Sequence, residues 1–149
     1  LVGTPNPKAP ELTPRDLTTA AAASWLENKS NRNYLNCPLL ATVSGKIKEV
    51  QGAEANTPAK GALSGKLEPL PKIFAPKALY DAGFGVDRTL MLDNSTAGFT
   101  IRTSVRNNIS FTRIPTASCV YTGVLSYYSD WQLQLRSLDD IQPTTAHTK

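Results

Sequence analysis

The amino-acid sequence predicts a mainly β fold: one small closed barrel of five strands, preceded by a helix and interrupted by a long insertion between the first and second strands. Three observations carry that expectation. Runs of alternating apolar and polar residues recur at 39–50, 89–103 and 119–136, with the two-residue period of half-buried strands. Clusters of Asn, Ser, Gly and Asp separate them, as tight reversals require. Eleven prolines and nine glycines in 149 residues leave little room for long helices.

A chain of 149 residues suffices for one domain with its own core, and no internal repeat is visible. Residues 1–11 read as a tail or linker and 142–149 as a second tail. Residues 12–141 form the domain, with 51–88 as the insertion. Leu12-Thr13-Pro14-Arg15-Asp16 places a Thr N-cap, a proline at the first helical position and an acid at the third, the chemistry of a helix start. The expected helix runs from about Pro14 to Lys29. Leu17, Ala21, Trp25 and Leu26, near Ala22, make a narrow apolar stripe that should lie against a barrel. Leu39 to Val50 is the first strand, with Val43, Gly45 and Ile47 on one face and Ser44, Lys46 and Lys48 on the other. Gly45 marks a bulge or sharp bend.

The insertion holds Pro58, Pro69, Pro71 and Pro76; a short hairpin or helical turn is expected near Ala75 to Ala82. Thr89–Asp93, Asn94–Gly98 and Phe99–Thr103 read as strand, turn, strand. Val105 to Pro115 should cross a barrel end as a loop or short helix. Cys119–Ser126 and Trp131–Arg136 form a last hairpin linked by Tyr127-Tyr128-Ser129-Asp130, and Ser137 to Ile141 finishes the last strand or turns off it.

Five strands with these connections are the count of an OB barrel. LMLDNSTAGFTIRT resembles the second and third strands of OB domains whose turn reads aspartate, polar, polar, glycine, apolar. YTGVLSYYSDWQLQLRSLDDI resembles their fourth and fifth strands. Over Leu39–Val50 and Thr89–Ile141 the combination is similar to the OB-like domains of secreted Bacteroidetes lipoproteins and to those attached to extracellular nucleases. The resemblance implies an auxiliary domain of an exported protein, whether periplasmic, cell-surface or extracellular. The insertion departs from that pattern, and the fold does not supply a ligand. Leu1 follows no initiator methionine and no export signal, so a cut or processed end is expected.

The formal charge of +4 and a pI near 9.2 favour a polyanionic partner, although the cations are dispersed rather than blocked. No apolar run approaches the ~20 residues of a membrane-spanning helix. Cys37 and Cys119 are too far apart for a C-x-x-C pair or zinc ribbon; they read as two buried thiols, or as one long-loop disulfide if the protein is exported. The single histidine, His147, lies in the terminal tail, which argues against a Ser-His-Asp or Cys-His site. Asp81, Asp87, Asp93 and the pair Asp139-Asp140 lack metal-loop spacing, and Gly83-x-Gly85 lacks the rest of a phosphate loop. No cofactor or metal and no catalytic activity is expected.

The residues that point to binding are Tyr127, Tyr128 and Trp131 at the last hairpin, with Lys46, Lys48, Arg102 and Arg136 on outward positions of neighbouring strands. Aromatics there would stack on bases or sugar rings, and cations would meet phosphates. Trp131 shares parity with Leu133 and Leu135, which favours a core position over a ligand contact; Tyr127 shares that of Leu125, which leaves Tyr128 the better surface residue. Lys60, Lys66, Lys72 and Lys77 form either a basic arm or a merely soluble loop. The expected function is a non-catalytic OB-type module contacting single-stranded nucleic acid or a glycan through the last hairpin loop and outer basic strands. The alternative is a structural or assembly domain that binds another protein.

Overall fold

The computed structural model describes residues 13–34, 39–48, 73–75, 85–104 and 106–144. Its strands are β1 (Arg15–Asp16), β2 (Leu39–Ile47), β3 (Val86–Leu92), β4 (Phe99–Thr103), β5 (Cys119–Tyr128), β6 (Asp130–Gln134) and β7 (Ile141–Pro143), with one helix, α1 (Ala20–Glu27). Strands β2 to β6 close a barrel in the order β2-β3-β4-β6-β5, sealed by the β2–β5 pairing. All neighbours are antiparallel except β4 and β6, which run parallel from Phe99↔Trp131 to Arg102↔Gln134. This is an OB-type barrel with an N-terminal helix, and the insertion separates the first two barrel strands, β2 and β3, as expected.

Alternation decides which residues fill it. Ala41, Val43 and Ile47 of β2, Leu90 of β3, Phe99 and Ile101 of β4, Tyr121 and Leu125 of β5, and Trp131 and Leu133 of β6 are buried. Gly45 lies where β2 changes partners, opposite both Leu92 of β3 and Cys119 of β5. A Cβ there would stand 2.3 Å from the Met91 carbonyl oxygen, so the close approach of β3 to β2 needs glycine.

Two short strands cover what the barrel leaves open. β3 reaches β2 only at Gly45–Ile47, and β1 pairs in parallel with Ala41 and Thr42 farther up that edge. Likewise β6 pairs with β5 from Val124 onward, and β7 pairs with Cys119, Val120 and Tyr121. Each addition satisfies backbone groups that would otherwise form a free sheet edge. The expected tail therefore begins later than residue 142: Gln142 and Pro143 lie in β7, and the Thr144 hydroxyl donates to the Ser118 carbonyl at 2.7 Å.

The helix is shorter than the 14–29 expected. The Asp16 carboxylate accepts from the Thr18 N–H at 2.9 Å and its hydroxyl at 2.6 Å, and the Leu17 N–H donates to the Thr42 carbonyl. The strand ladder and this local turn hold the backbone extended until Thr19, which caps α1 through the Ala22 N–H. Ala23 and Leu26 are the buried helical residues; Leu17 is buried ahead of the helix, and Ala21 is exposed.

α1 lies against the barrel end marked by Phe99 and Trp131, where the Trp131 indole N–H donates to the Leu26 carbonyl at 2.6 Å. At the opposite end of β4 and β6 a single 3-10 turn, Asn108–Phe111, carries buried Ile109, and the Asn107 amide donates to the Leu135 carbonyl. This is the crossing segment expected over 105–115. The insertion contributes Ile73, Phe74 and Ala75, all buried: Phe74 N–H donates to Thr112 and Ala75 N–H to Ser110. Arg88 is a buried β3 residue rather than insertion. Its guanidinium donates to the Ile73 and Phe74 carbonyls at 2.8 and 3.2 Å, and burial holds its pKa below the usual arginine value. The turn expected near 75–82 lies outside the described residues apart from Ala75, as do Lys60, Lys66, Lys72, Lys77, Asp81, Gly83, Cys37 and His147.

Candidate functional site

The outward positions of the barrel strands form continuous rows, because residues paired in register share a face. One row runs Lys46, Met91, then Asp130 and Tyr128, from the pairs Lys46↔Met91 and Tyr128↔Asp130; between them, the Asp130 carboxylate lies over Gly98. The next runs Thr89, Thr100, Gln132, Ser126, and Lys48 joins it through its N–H to the Thr89 carbonyl at 2.8 Å. A third runs Asp87, Arg102, Gln134, Val124. With strands ~4.8 Å apart, a row crossing all five spans ~19 Å of curved surface.

This outer surface, which curves around the closed barrel, carries four of the residues marked by the sequence. Lys46 and Lys48 are exposed on β2, and Tyr128 is 78% exposed at the opposite margin. Arg102 stands on β4 with its guanidinium 2.7 Å from the Asp87 carboxylate. The sequence does not single out Met91, 51% exposed in the first row, or the uncharged hydrogen-bonding row around Thr100 and Gln132. Their strand parity is legible, but it carries no chemical signature.

Three of the sequence-marked residues fall elsewhere. Trp131 is fully buried, with its N–H committed to Leu26, so it supports the barrel end and presents no stacking face; this corrects its placement among ligand contacts. Arg136 lies beyond β6, and its guanidinium meets the Asp140 carboxylate at 2.8 and 3.1 Å. Tyr127 is half-buried and meets Trp131 edge-on, ring centroids 5.1 Å apart. The four-residue hairpin link is also corrected. Tyr127 and Tyr128 pair within β5, opposite Trp131 and Asp130, so the reversal turns on Ser129 alone, with φ 62°.

That reversal brings β5 beside α1 and the 3-10 turn Lys29–Tyr34. The Lys29 ammonium lies 2.7 Å from the Asp130 carboxylate and 5.9 Å from the Tyr127 ring centroid, and the Arg32 guanidinium carbon lies 5.5 Å from that centroid. Trp25 also packs on Trp131, tilted at 5.1 Å, and the Arg15 guanidinium stands 4.8 Å over the Trp25 ring. Arg15, Lys29 and Arg32 are drawn to ring faces across the chain, a cation–π pattern that no local sequence spacing reveals.

Inside the barrel, Tyr121 and Cys119 face one another. Burial, then the neighbouring Cys119, pushes the Tyr121 phenol well above its ordinary value, and burial likewise raises the Cys119 thiol. Both stay protonated at neutral pH; Cys119 is a buried free thiol. Asp139 is an exposed residue of the turn and Asp140 its buried neighbour. Among the described residues, no three His, Cys, Asp or Glu side chains converge on a point where a metal ion would bind, and no helix is long and apolar enough to cross a membrane.

No protein-family model, curated protein or solved structure matches the chain.

Proposed function

We propose that this chain is a non-catalytic OB-type binding module of an exported protein, and that single-stranded nucleic acid lies across the outer face of β2, β3, β4, β6 and β5. The observation that carries the reading is the first row: a cation at one margin, Lys46, and an exposed tyrosine at the other, Tyr128, with the apolar Met91 and Asp130, whose carboxylate is paired with Lys29, between them. Bases need π-faces or apolar surface to stack on, and phosphates need cations. Lys48 in the second row adds a cation, and Arg102 in the third adds guanidinium donors beside its partner Asp87, while Thr89, Thr100 and Gln132 offer donors and acceptors to sugars and base edges without fixing a sequence. The exported setting rests on the likeness of LMLDNSTAGFTIRT and YTGVLSYYSDWQLQLRSLDDI to OB-like domains of secreted proteins.

The test is a fluorescence titration with single-stranded oligonucleotides and a panel of glycans, at low and moderate salt, on the wild type and Tyr128→Ala. The expected result is oligonucleotide binding that weakens with salt, with an affinity loss in the variant equivalent to ~1–3 kcal/mol, the range measured for one base–aromatic stack. Glycan binding without oligonucleotide binding would overturn the choice of ligand. Silence on both panels would favour a protein-binding accessory domain, whose apolar contacts would respond weakly to salt.

A further inference from the structure

We infer that Lys29 and Arg32 form a phosphate-binding site at the tip of the last hairpin, separate from the outer sheet face, and that it grips the backbone of the same strand as it passes over Ser129. The inference rests on the reading that the ligand is single-stranded nucleic acid. Three observations place the site. Two cations stand over one half-buried ring, Tyr127, at 5.9 and 5.5 Å. Tyr127 and Tyr128 are consecutive in β5, so they project to opposite sides of the strand, and the chain reverses just beyond them at Ser129. A polymer that stacks on Tyr128 and continues over the hairpin tip therefore meets Lys29 and Arg32 next.

Among the described residues, one of the side-chain donors of Lys29 and Arg32 is engaged by another side chain. The Lys29 ammonium has three N–H donors and gives one to Asp130, and the Arg32 guanidinium carries a fork of five that suits phosphate oxygens. Asp130 orients Lys29 rather than neutralising the site, because among the described residues the two cations stand with one paired carboxylate. Tyr127, locked edge-on against Trp131, holds both charges over a rigid surface, so little side-chain freedom is lost when an anion arrives.

The experiment measures the affinity of an oligothymidylate of about 16 nucleotides, the upper end of OB site sizes, against salt concentration. It compares the wild type, the double variant Lys29→Gln/Arg32→Gln, Arg32→Gln alone, Tyr128→Ala, and Arg106→Gln as an exposed-arginine control from the far end of the barrel. Losing one phosphate contact on a single strand should lower the log–log salt slope by about 0.7. The expected result is that drop, or more, in the double variant, a smaller drop in the same direction for Arg32→Gln, and no change in Arg106→Gln. Arg32→Gln leaves the Lys29–Asp130 pair intact and so guards against a folding artefact. A double variant with the wild-type slope, or with no greater change than Arg106→Gln, would overturn the inference while leaving the outer-face reading in place. Binding that ignores Tyr128→Ala but loses slope in the double variant would sink the outer face and keep this site. A wild type that binds no oligonucleotide would end both.

Discussion

Replacing Asp140 by asparagine should destabilise the fold by about 2 kcal/mol at neutral pH, and the loss should vanish in acid. The Asp140 carboxylate is buried in the turn before β7. It accepts from the Arg136 backbone N–H at 2.7 Å, from the Arg136 guanidinium at 3.1 and 2.8 Å, and from the Ser137 N–H at 3.4 Å. An amide offers one acceptor oxygen, so an N–H faces its own kind. The guanidinium is 50% exposed, so its ion pair contributes no more than ~1 kcal/mol. Set where Oδ2 stands, the amide oxygen keeps the backbone N–H groups of Arg136 and Ser137 but accepts them as a neutral group, which forfeits ~1 kcal/mol relative to a charged acceptor. Burial alone would raise the Asp140 pKa, but the bonds and charge of Arg136, with the Ser137 N–H, outweigh it and hold the carboxyl below its ordinary value. A depressed folded-state pKa means stabilisation that is complete above the unfolded value, near 4, and lost as pH falls through the folded one. Urea unfolding followed by tryptophan fluorescence reads this directly. With a slope near 2 kcal/mol per M, the midpoint of Asp140→Asn should lie ~1 M below wild type at pH 7, and the two should converge as pH falls below the ordinary carboxylate range. A gap of equal size at neutral pH and in acid would refute the electrostatic account and leave a packing defect in its place.

Gly45→Ala should destabilise by about 2–3 kcal/mol in denaturant titration, since its Cβ meets the Met91 carbonyl oxygen at 2.3 Å and the β3 backbone at Met91 and Leu92 must shift. Arg88→Met removes the donors to the Ile73 and Phe74 carbonyls while keeping the stem's volume. Stability should fall by ~1–3 kcal/mol, and amide exchange at Phe74 and Ala75 should accelerate more than in β5; equal acceleration throughout would show that Arg88 has no particular hold on that segment.

The barrel strands are legible in the sequence because each has one dry face: Phe99 and Ile101 of β4, and Trp131 and Leu133 of β6, are buried at the two-residue strand period. Gly45 stands out because glycine weakens an alternating strand unless a bulge or a close backbone approach needs the missing side chain. Trp131 is legible as core from its parity with Leu133 and Leu135, yet its chemistry also fits a ligand platform, and only the bond to Leu26 decides between the two. The start of α1 departs from expectation because Thr13-Pro14-x-Asp16 has good capping chemistry, whereas pairing of Arg15 with Ala41 is a non-local effect. β7 escapes a local reading in the same way: Ile141–Pro143 has little strand character of its own and is held by β5. In the candidate site, Tyr128 and the β2 lysines can be read from parity. Lys29 and Arg32 cannot, since what marks them is a ring about a hundred residues away, as the Lys29–Asp130 separation of 101 shows.

The seam that closes the barrel also sets the order of events during synthesis. The Thr42 and Thr122 hydroxyls, which meet across the β2–β5 pairing, are 80 residues apart in the chain, and ribosomes add about 5–20 residues per second. β2 therefore emerges roughly 4–16 s before its partner, with Val43 and Ile47 uncovered and that edge unpaired. The hairpins β3–β4 and β5–β6 are local and form fast once made, so closure of the seam is the late step. Through that interval Lys46 and Lys48, which flank Ile47, act as charged gatekeepers that discourage β2 from pairing with another nascent copy.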